Sequence, residues 1–259
     1  MERALYVTRL NEINAETEHY DRLYFGAEFC QFRIPSPALL RQAREAAAQH
    51  GWSFSLMTPY VTDEGLAALA DLLPELRDGD EVIVNDWGVL DWVATEHERL
   101  TVVLGRLLTK QKRGPRILNV LDVTPPDMLS HYRRSNVDVP HLRDFLTGQM
   151  RVERFELDNP LQGMERRPAV PASLYTPWMY VSTTRLCLVN HCENRTQSLR
   201  AIFQTDFACQ KHQFTLEHDN MPATLHLVGN TIFVENDGVP ENLEQLGIDR
   251  LVFQPRPPM

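Results

Sequence analysis

The chain contains four cysteines. Their thiol side chains and their spacing along the sequence indicate metal binding. Cys30 stands alone early in the sequence, whereas Cys187, Cys192 and Cys209 lie close together near the other end. Four thiolates drawn from one distant position and one cluster are ligands that suit an iron-sulfur cluster or a zinc ion. Cysteine is also often buried as a small apolar residue. The spacing therefore predicts a metal centre and leaves unliganded core cysteines as the alternative.

The same spacing bears on the choice of metal. Zinc modules usually take their ligands from close Cys-x-x-Cys pairs, and this sequence has none. An iron-sulfur centre is therefore favoured, with zinc kept as the alternative. The amino-terminal segment lacks the basic start and apolar core of a secretory leader. Together with the low cysteine content, this predicts a cytoplasmic protein with reduced thiols.

Charge and hydropathy argue against broad nucleic-acid binding and against a membrane span. The formal net charge of −9 disfavours broad nucleic-acid binding, which depends on Lys and Arg neutralising phosphates. The best basic segment contains Lys110, Lys112, Arg113 and Arg116, and we interpret it as a solvated charged loop. No apolar run is long enough to span a membrane.

The first half of the chain alternates between strand-like and helix-like segments. Strand patterns occur in RLYFGAEF, WSFSLMTPYV, EVIVND and LTVVLGRLL, and helix patterns occur in ALLRQAREAAAQHG, in the segment after Thr62, and in GVLDWVATEH. Such alternation indicates parallel βα units. Because no GxGxxG follows any of these strands, an α/β barrel or barrel-like sheet is favoured over a dinucleotide-binding fold. We expect a single barrel-like domain over residues 1–259.

The second half is less regular. Strands are predicted at ILNVLDV, RVERFELD, PWMYVSTTRLCLV, TLHLVGNTIFVEN and DRLVFQP, with one helix at PHLRDFLTGQM. The cysteine-bearing segment, about 185–215, has no long periodicity and is predicted to be a loop insertion after a strand. Active sites of α/β barrels lie at the carboxyl ends of the strands. Cys30, Asn85 and Asp86 are predicted to lie at such ends.

Several motifs together resemble the collagenase-like peptidase family, most closely its UbiV-like branch. They are LYFGAEFCQFR, DEVIVNDWGVL, LGRLLTKQKRGPR, and STTRLC leading into the cysteine cluster. The matching order runs from about residue 20 to the end of the chain, and its most specific element is the early GxxxC with the late cysteine-rich loop.

The resemblance implies an incomplete or distorted TIM barrel and a [4Fe-4S] cluster held by one early and three late cysteines, here Cys30, Cys187, Cys192 and Cys209. Relatives of this kind place two cysteines close together at the end of the loop, whereas here Cys192 comes early and Cys209 is alone. His191 and His212 are therefore alternative ligands. Phe29, Phe32, Trp178 and Phe207 are candidate apolar walls, and Arg185 is a candidate counter-charge.

The resemblance also implies a function. UbiU and UbiV form a heterodimer that supports oxygen-independent hydroxylation in ubiquinone biosynthesis; other relatives hydroxylate RNA pyrimidines, and some are annotated proteases. The expected function is oxygen-independent hydroxylation of a small molecule with a homologous barrel subunit, or with a second copy of the chain. An RNA pyrimidine hydroxylation factor, a collagenase-like peptidase and a zinc-binding structural or interaction protein remain alternatives. Peptidase motifs GxSxG and HExxH are absent; the sequence-adjacent pair His191 and Cys192 is the candidate base and nucleophile.

Overall fold

The computed structural model describes residues 1–13, 19–193 and 205–259. Its helices are α1 Pro37–Gln49, α2 Asp63–Leu72, α3 Trp87–Glu96, α4 Pro126–Arg133 and α5 Pro140–Gly148. Its strands are β1 Glu2–Val7, β2 Arg22–Gly26, β3 Ser53–Met57, β4 Glu81–Val84, β5 Thr101–Leu104, β6 Val152–Asp158, β7 Ala172–Thr176, β8 Trp178–Thr183, β9 Gln213–Leu216, β10 Leu225–Val228, β11 Thr231–Glu235 and β12 Ile248–Phe253.

Eight strands form a closed parallel barrel, which confirms the predicted TIM-barrel-like α/β fold. The strands follow the order β1-β12-β7-β6-β5-β4-β3-β2 around the barrel. Helices α1, α2 and α3 each connect two successive strands, and α4 and α5 lie between β5 and β6. The barrel departs from the regular pattern between β7 and β12, where β8–β11 form a four-stranded antiparallel sheet. In the described residues, no helix has the length and apolar character needed to cross a membrane.

Two helix boundaries show how the sequence sets them: α1 ends before Gly51 as predicted, whereas the predicted cap of α2 differs. The Ser36 hydroxyl accepts a hydrogen bond from Leu39 N at the start of α1, and Gly51 follows its end with a φ of 73°. Thr62 occupies the N-cap position of α2 but makes no side-chain bond to the helix. Its hydroxyl donates to Gln31 Oε1 at 3.1 Å instead, which connects α2 to the segment after β2.

The barrel has two separate apolar layers. A large cluster fills the space between strands and helices, and a smaller one fills the barrel interior: Ala4, Tyr6, Tyr24, Met57, Ile83, Val103, Tyr175 and Val252. Nearby, buried Arg250 donates to both carboxylate oxygens of Glu81 at 2.8 Å. Although burial opposes ionisation, the hydrogen bonds and charge of Arg250 hold the pKa of Glu81 below its ordinary value.

The structure corrects several predicted elements. The strand predicted at ILNVLDV is wrong, because this segment lies in a 3-10 helix over Pro115–Val123. No barrel position is open to it, since β5 already pairs with β4 and β6. Strand β8 ends at Thr183, so the predicted strand stops before Cys187. The sequence analysis missed β1, β7, β9 and α4; all four residues of β9 are exposed, which leaves no apolar alternation to recognise.

The turn from β2 toward Cys30 depends on Gly26, which ends the strand. Gly26 has a φ of 133°, and a Cβ there would lie 2.3 Å from Met57 O on the neighbouring strand. We predict that Gly26→Ala lowers the free energy of unfolding by about 3 kcal/mol or more, measured by urea denaturation.

Gly114→Ala is the matched control for this prediction. Its φ is −70°, and no described atom lies within 4 Å of the added methyl group. Its free energy of unfolding should stay within about 0.5 kcal/mol of the wild type. Equal stability of the two variants would contradict the account of the β2–β3 approach.

Candidate functional site

A cavity of about 370 Å³ lies at the carboxyl end of the barrel. Its walls come from residues that follow β2, β3, β8 and β12, and from the turn between β10 and β11. Because all barrel strands are parallel, the segments leaving their carboxyl ends meet on one face. The cavity therefore occupies the position where α/β barrels carry their active sites.

Three of the four cysteines line this cavity. Cys30 follows β2, Cys187 follows β8, and Cys209 lies in a 3-10 helix over Ala208–Gln210. Interaction between the Cys187 and Cys209 thiols shifts the pKa of each, and burial together with the nearby charge of Cys209 raises the pKa of Cys30. All three are free thiols. The fold thus brings together sulfurs that lie far apart in sequence.

Cys192 lies outside the cavity wall. It is exposed, and its backbone N–H donates to Val189 O at 3.2 Å in the turn that follows Cys187. Only this one turn separates it from a cavity cysteine. The loop continues into residues 194–204, which lie outside the described part of the chain.

The two histidines proposed as substitute ligands both contact carboxylates. His191 Nδ1 lies 3.2 Å from Asp206 Oδ2, which also accepts a hydrogen bond from the His191 backbone at 3.0 Å. His212 Nε2 lies 2.6 Å from Glu193 Oε1. Neither histidine is a cavity-lining residue in the described structure.

The environment favours different protonation states for the cavity cysteines. A hydrogen bond from the Cys187 thiol lowers the pKa of Cys209 to about 6, against the effect of burial and with help from the Arg33 guanidinium. The same hydrogen bond raises the pKa of Cys187. Burial raises the pKa of Cys30. One thiolate beside two thiols is therefore the expected state near neutral pH in the metal-free chain.

The segment that presents Cys30 is anchored by a buried ion pair. Arg106, which follows β5, donates to Glu28 Oε1 at 2.9 Å and to Oε2 at 2.7 Å. It also donates to Asp158 Oδ1 at 2.7 Å, and the three side chains have no solvent exposure. Arg113 reaches the other oxygen of Asp158 at 2.5 Å. Two arginines thus neutralise two buried carboxylates, and a buried carboxylate without such a partner would strongly destabilise the fold.

The sequence analysis missed this network. Arg113 is 6% exposed, so its assignment to a solvated charged loop is wrong. Its guanidinium lies 4.3 Å from the Tyr180 ring centroid, and that of Arg106 lies 3.9 Å from the Tyr175 centroid. These arginines pair with carboxylates that follow or belong to other barrel strands, so no regular spacing in the sequence indicates the pairs. Because Arg113 stands beside exposed Lys110 and Lys112, the local sequence looks the same as that of an exposed charged loop.

The polar residues at the end of β4 have structural roles away from the cavity. Asp86 Oδ1 accepts hydrogen bonds from Gly88 N at 2.8 Å and Val89 N at 3.2 Å, so Asp86 caps α3. Asn85 is buried, accepts from Leu107 N at 2.9 Å and donates to Thr58 O at 2.9 Å. The structure places both at a strand end, as predicted.

The predicted aromatic walls divide into inner and outer residues. Phe29 is buried behind the cavity against Tyr180, with ring centroids 5.3 Å apart. Phe32 and Phe207 line the cavity and are 41% and 40% exposed. Trp178 packs against the buried cluster that contains Phe29. The cavity therefore has an apolar floor and an apolar rim that faces solvent.

Arg185 lies at this rim and contacts the segment after β3. Its guanidinium lies 5.6 Å from the Tyr60 ring centroid, and Nη2 donates to Val61 O at 3.4 Å. Arg33 also lines the cavity, and after the interaction with Cys187 its charge contributes to the lowered pKa of Cys209. Two guanidinium groups consequently face a space bordered by thiols. Such positive charge favours anionic sulfur in the cavity.

The donor set fits a thiolate-bound metal in type. Among residues 1–13, 19–193 and 205–259, no group of three or more His, Cys, Asp or Glu is arranged to hold a metal ion. Three thiols nevertheless border one cavity. Thiolate sulfur is a ligand for both an iron-sulfur cluster and a zinc ion.

Comparisons with known proteins give a limited result. No protein-family model matches the chain, and no curated protein sequence matches it significantly. The solved structure of the U32 peptidase Mk0906 aligns with a TM-score of 0.48 at 14% sequence identity. The alignment covers 100% of this chain and 94% of that one. A likeness at this level carries no argument about activity.

The buried ion pair gives a prediction for stability. Arg106→Met leaves Glu28 and part of Asp158 without their cation, so the free energy of unfolding at pH 7 should fall by about 3–5 kcal/mol. Arg41→Met is the matched control, because its side chain is 51% exposed in a pair with Glu75; it should cost at most about 1 kcal/mol.

The destabilisation caused by Arg106→Met should depend on pH in one direction. Burial already raises the pKa of Glu28, and loss of Arg106 raises it further. The folded variant therefore binds a proton more readily than the unfolded chain, and the destabilisation shrinks as pH falls from 7 toward 5. Urea unfolding at both pH values measures it. A loss that grows on acidification would contradict the proposed pairing.

Proposed function

We propose that the cavity holds an iron-sulfur cluster of the [4Fe-4S] type, with Cys30, Cys187, Cys192 and Cys209 as its ligands. The observation that carries this proposal is the meeting of Cys30, Cys187 and Cys209 on one cavity at the carboxyl end of the barrel. Cys192 follows Cys187 by one turn on the same loop, and ligation would require that turn to bring its sulfur inward. Metal binding commonly supplies the energy for such ordering.

The residues around the thiols suit such a cluster. Four thiolates carry negative charge, which Arg33 beside Cys209 offsets. Phe29 supplies a buried apolar wall, and exclusion of water is one determinant of a cluster's reduction potential. When bound, the cluster would supply one-electron transfer. Zinc remains the competing metal, since it accepts the same ligands.

The proposed activity is oxygen-independent hydroxylation of a small molecule, of the kind supported by the UbiV-like branch of the collagenase-like peptidase family. The motif resemblance supports this branch. The apolar rim of Phe32 and Phe207 beside Arg185 offers a small organic molecule a place next to the thiols. The net charge of −9 speaks against an RNA substrate.

A peptidase is the second candidate, and one observation favours it. His191 Nδ1 is oriented by Asp206 at 3.2 Å, and His191 directly precedes exposed Cys192. A histidine oriented by a carboxylate is the base that a cysteine nucleophile needs. Peptidase activity would survive iron removal and disappear in Cys192→Ser, whereas hydroxylation would require iron.

Metal content tests the proposal directly. Protein purified without oxygen should contain iron and acid-labile sulfide and show broad visible absorption. Cys30→Ser, Cys187→Ser and Cys209→Ser should each reduce iron to a small fraction of the wild-type content, because each removes a ligand from the cavity. The barrel should remain folded by circular dichroism, since its core is independent of the site.

Ser182→Ala is the control for these variants. Ser182 is an exposed residue of β8, close in sequence to Cys187, and its loss should leave the iron content unchanged. Stoichiometric zinc without sulfide in the wild type would contradict the iron-sulfur proposal. So would cysteine variants that retain full iron.

The chain is proposed to act with a second barrel subunit. The cavity-lining residues Phe32, Leu186 and Phe207 and the neighbouring Leu188 are all at least 40% exposed. Such apolar groups beside a site suit a partner surface. A homologous subunit is expected, with a second copy of the chain as the simpler alternative. Light scattering of the chain alone and mixed with homologues measures the assembly. Hydroxylation of quinone precursors by the isolated monomer, detected by mass spectrometry, would contradict it.

A further inference from the structure

The tight turn between β10 and β11 touches every cavity segment that carries a cysteine. It contains Gly229, whose φ is 61°, and Asn230, which is 4% exposed. Asn230 lines the cavity, although the turn itself contains no cysteine. Its contacts therefore show what it does for the neighbouring segments.

The Asn230 side chain is bonded to three separate segments. Nδ2 lies within hydrogen-bond distance of Phe29 O at 2.7 Å, Thr184 O at 2.6 Å and Tyr60 Oη at 3.1 Å, so its two N–H groups are shared among three acceptors. The Thr184 backbone N–H in turn donates to Asn230 O at 3.0 Å. Tyr60 Oη also donates to Thr184 O at 2.6 Å. One amide thus joins the chain after β2, the chain after β3 and the chain after β8.

These acceptors lie next to the proposed ligands. Phe29 directly precedes Cys30, and Thr184 lies shortly before Cys187 in the same segment. The third cysteine packs beside Gly229, because a Cβ built on this glycine would lie 3.5 Å from Cys209 Cβ. That added Cβ would also lie 2.2 Å from Met259 Cε, so the end of the Met259 side chain would have to move.

We infer that Asn230 is the positioning residue that sets the separation of Cys30 from Cys187 and Cys209. This inference rests on the proposed use of these thiols as metal ligands. A primary amide is suited to the role because it has two N–H groups for buried acceptors. Alanine would leave the buried Phe29 carbonyl without this donor and Thr184 O with Tyr60 Oη as its remaining side-chain donor, so the two segments would lose their direct connection.

The experiment uses the full-length chain without iron and Cd²⁺ as the probe. Cd²⁺ binds thiolates and gives an ultraviolet sulfur-to-metal charge-transfer band whose intensity reports how many thiolates bind. The wild type should bind Cd²⁺ with the band of at least three thiolates. Asn230→Ala should bind at least about tenfold more weakly, with a weaker band per bound ion, as expected when a buried hydrogen-bonded donor is removed.

Asn236→Ala is the matched control. Asn236 follows the same hairpin and donates from Nδ2 to Asn159 O at 2.9 Å, so it loses a comparable bond away from the cysteines. Its band and affinity should equal those of the wild type. This spectroscopic comparison separates positioning of the thiols from general support of the hairpin.

A milder variant covers the case in which Asn230→Ala does not fold. Tyr60→Phe keeps the amide and removes the hydroxyl that joins Asn230 to Thr184; it should weaken Cd²⁺ binding roughly threefold. Wild-type Cd²⁺ affinity and band in the folded variants would overturn the inference, as would a wild-type band of fewer than three thiolates. Absence of iron from the native protein would overturn the proposed function alone and leave this result standing.

Discussion

The ion pairs made by buried Arg106 are the constraint on which the carboxyl end of the barrel depends. This guanidinium joins Glu28 after β2 to Asp158 at the end of β6, from a position just after β5. Burying such charges is costly, and only complete pairing makes it tolerable. Because Glu28 lies two residues before Cys30, the same pairing fixes the path of the chain into the cavity.

The cavity is a consequence of parallel closure together with the inserted antiparallel sheet. The parallel strands β2 and β7 end on the same face of the barrel, where β2 leads to Cys30 and β7 leads into the inserted sheet that carries Cys187 after β8. The inserted sheet then returns the chain so that the β10–β11 turn lies between them. The barrel accounts for the place where the thiols meet, and the insertion accounts for their separation.

Much of the fold could be predicted from local patterns, because its first half repeats one βα unit. Segments such as EVIVND and ALLRQAREAAAQHG carry strand and helix signals that tertiary packing does not override. The strand prediction for ILNVLDV was wrong because an apolar run that follows Gly114 and Pro115 fits a 3-10 helix as well as a strand. The exposed β9 gave no periodic signal.

Three of the four cysteines that the sequence singles out line one cavity, whereas the residues that support them were not predictable from the sequence. Rare residues such as Cys30 and Cys187 are conspicuous in a sequence, and the structure places both on one cavity. Arg106 and Asn230 are common residue types whose roles arise only from partners far away along the chain. Pairing of this kind has no local spacing, so a single sequence does not indicate it.

X-ray absorption at the iron edge of the anaerobically purified chain tests the central claim most directly. The account predicts iron surrounded by sulfur neighbours, with iron-iron scattering from a cluster, and loss of both signals in the Cys30→Ser chain. A sample without iron, or with a zinc edge showing only sulfur neighbours and no metal-metal scattering, would contradict it.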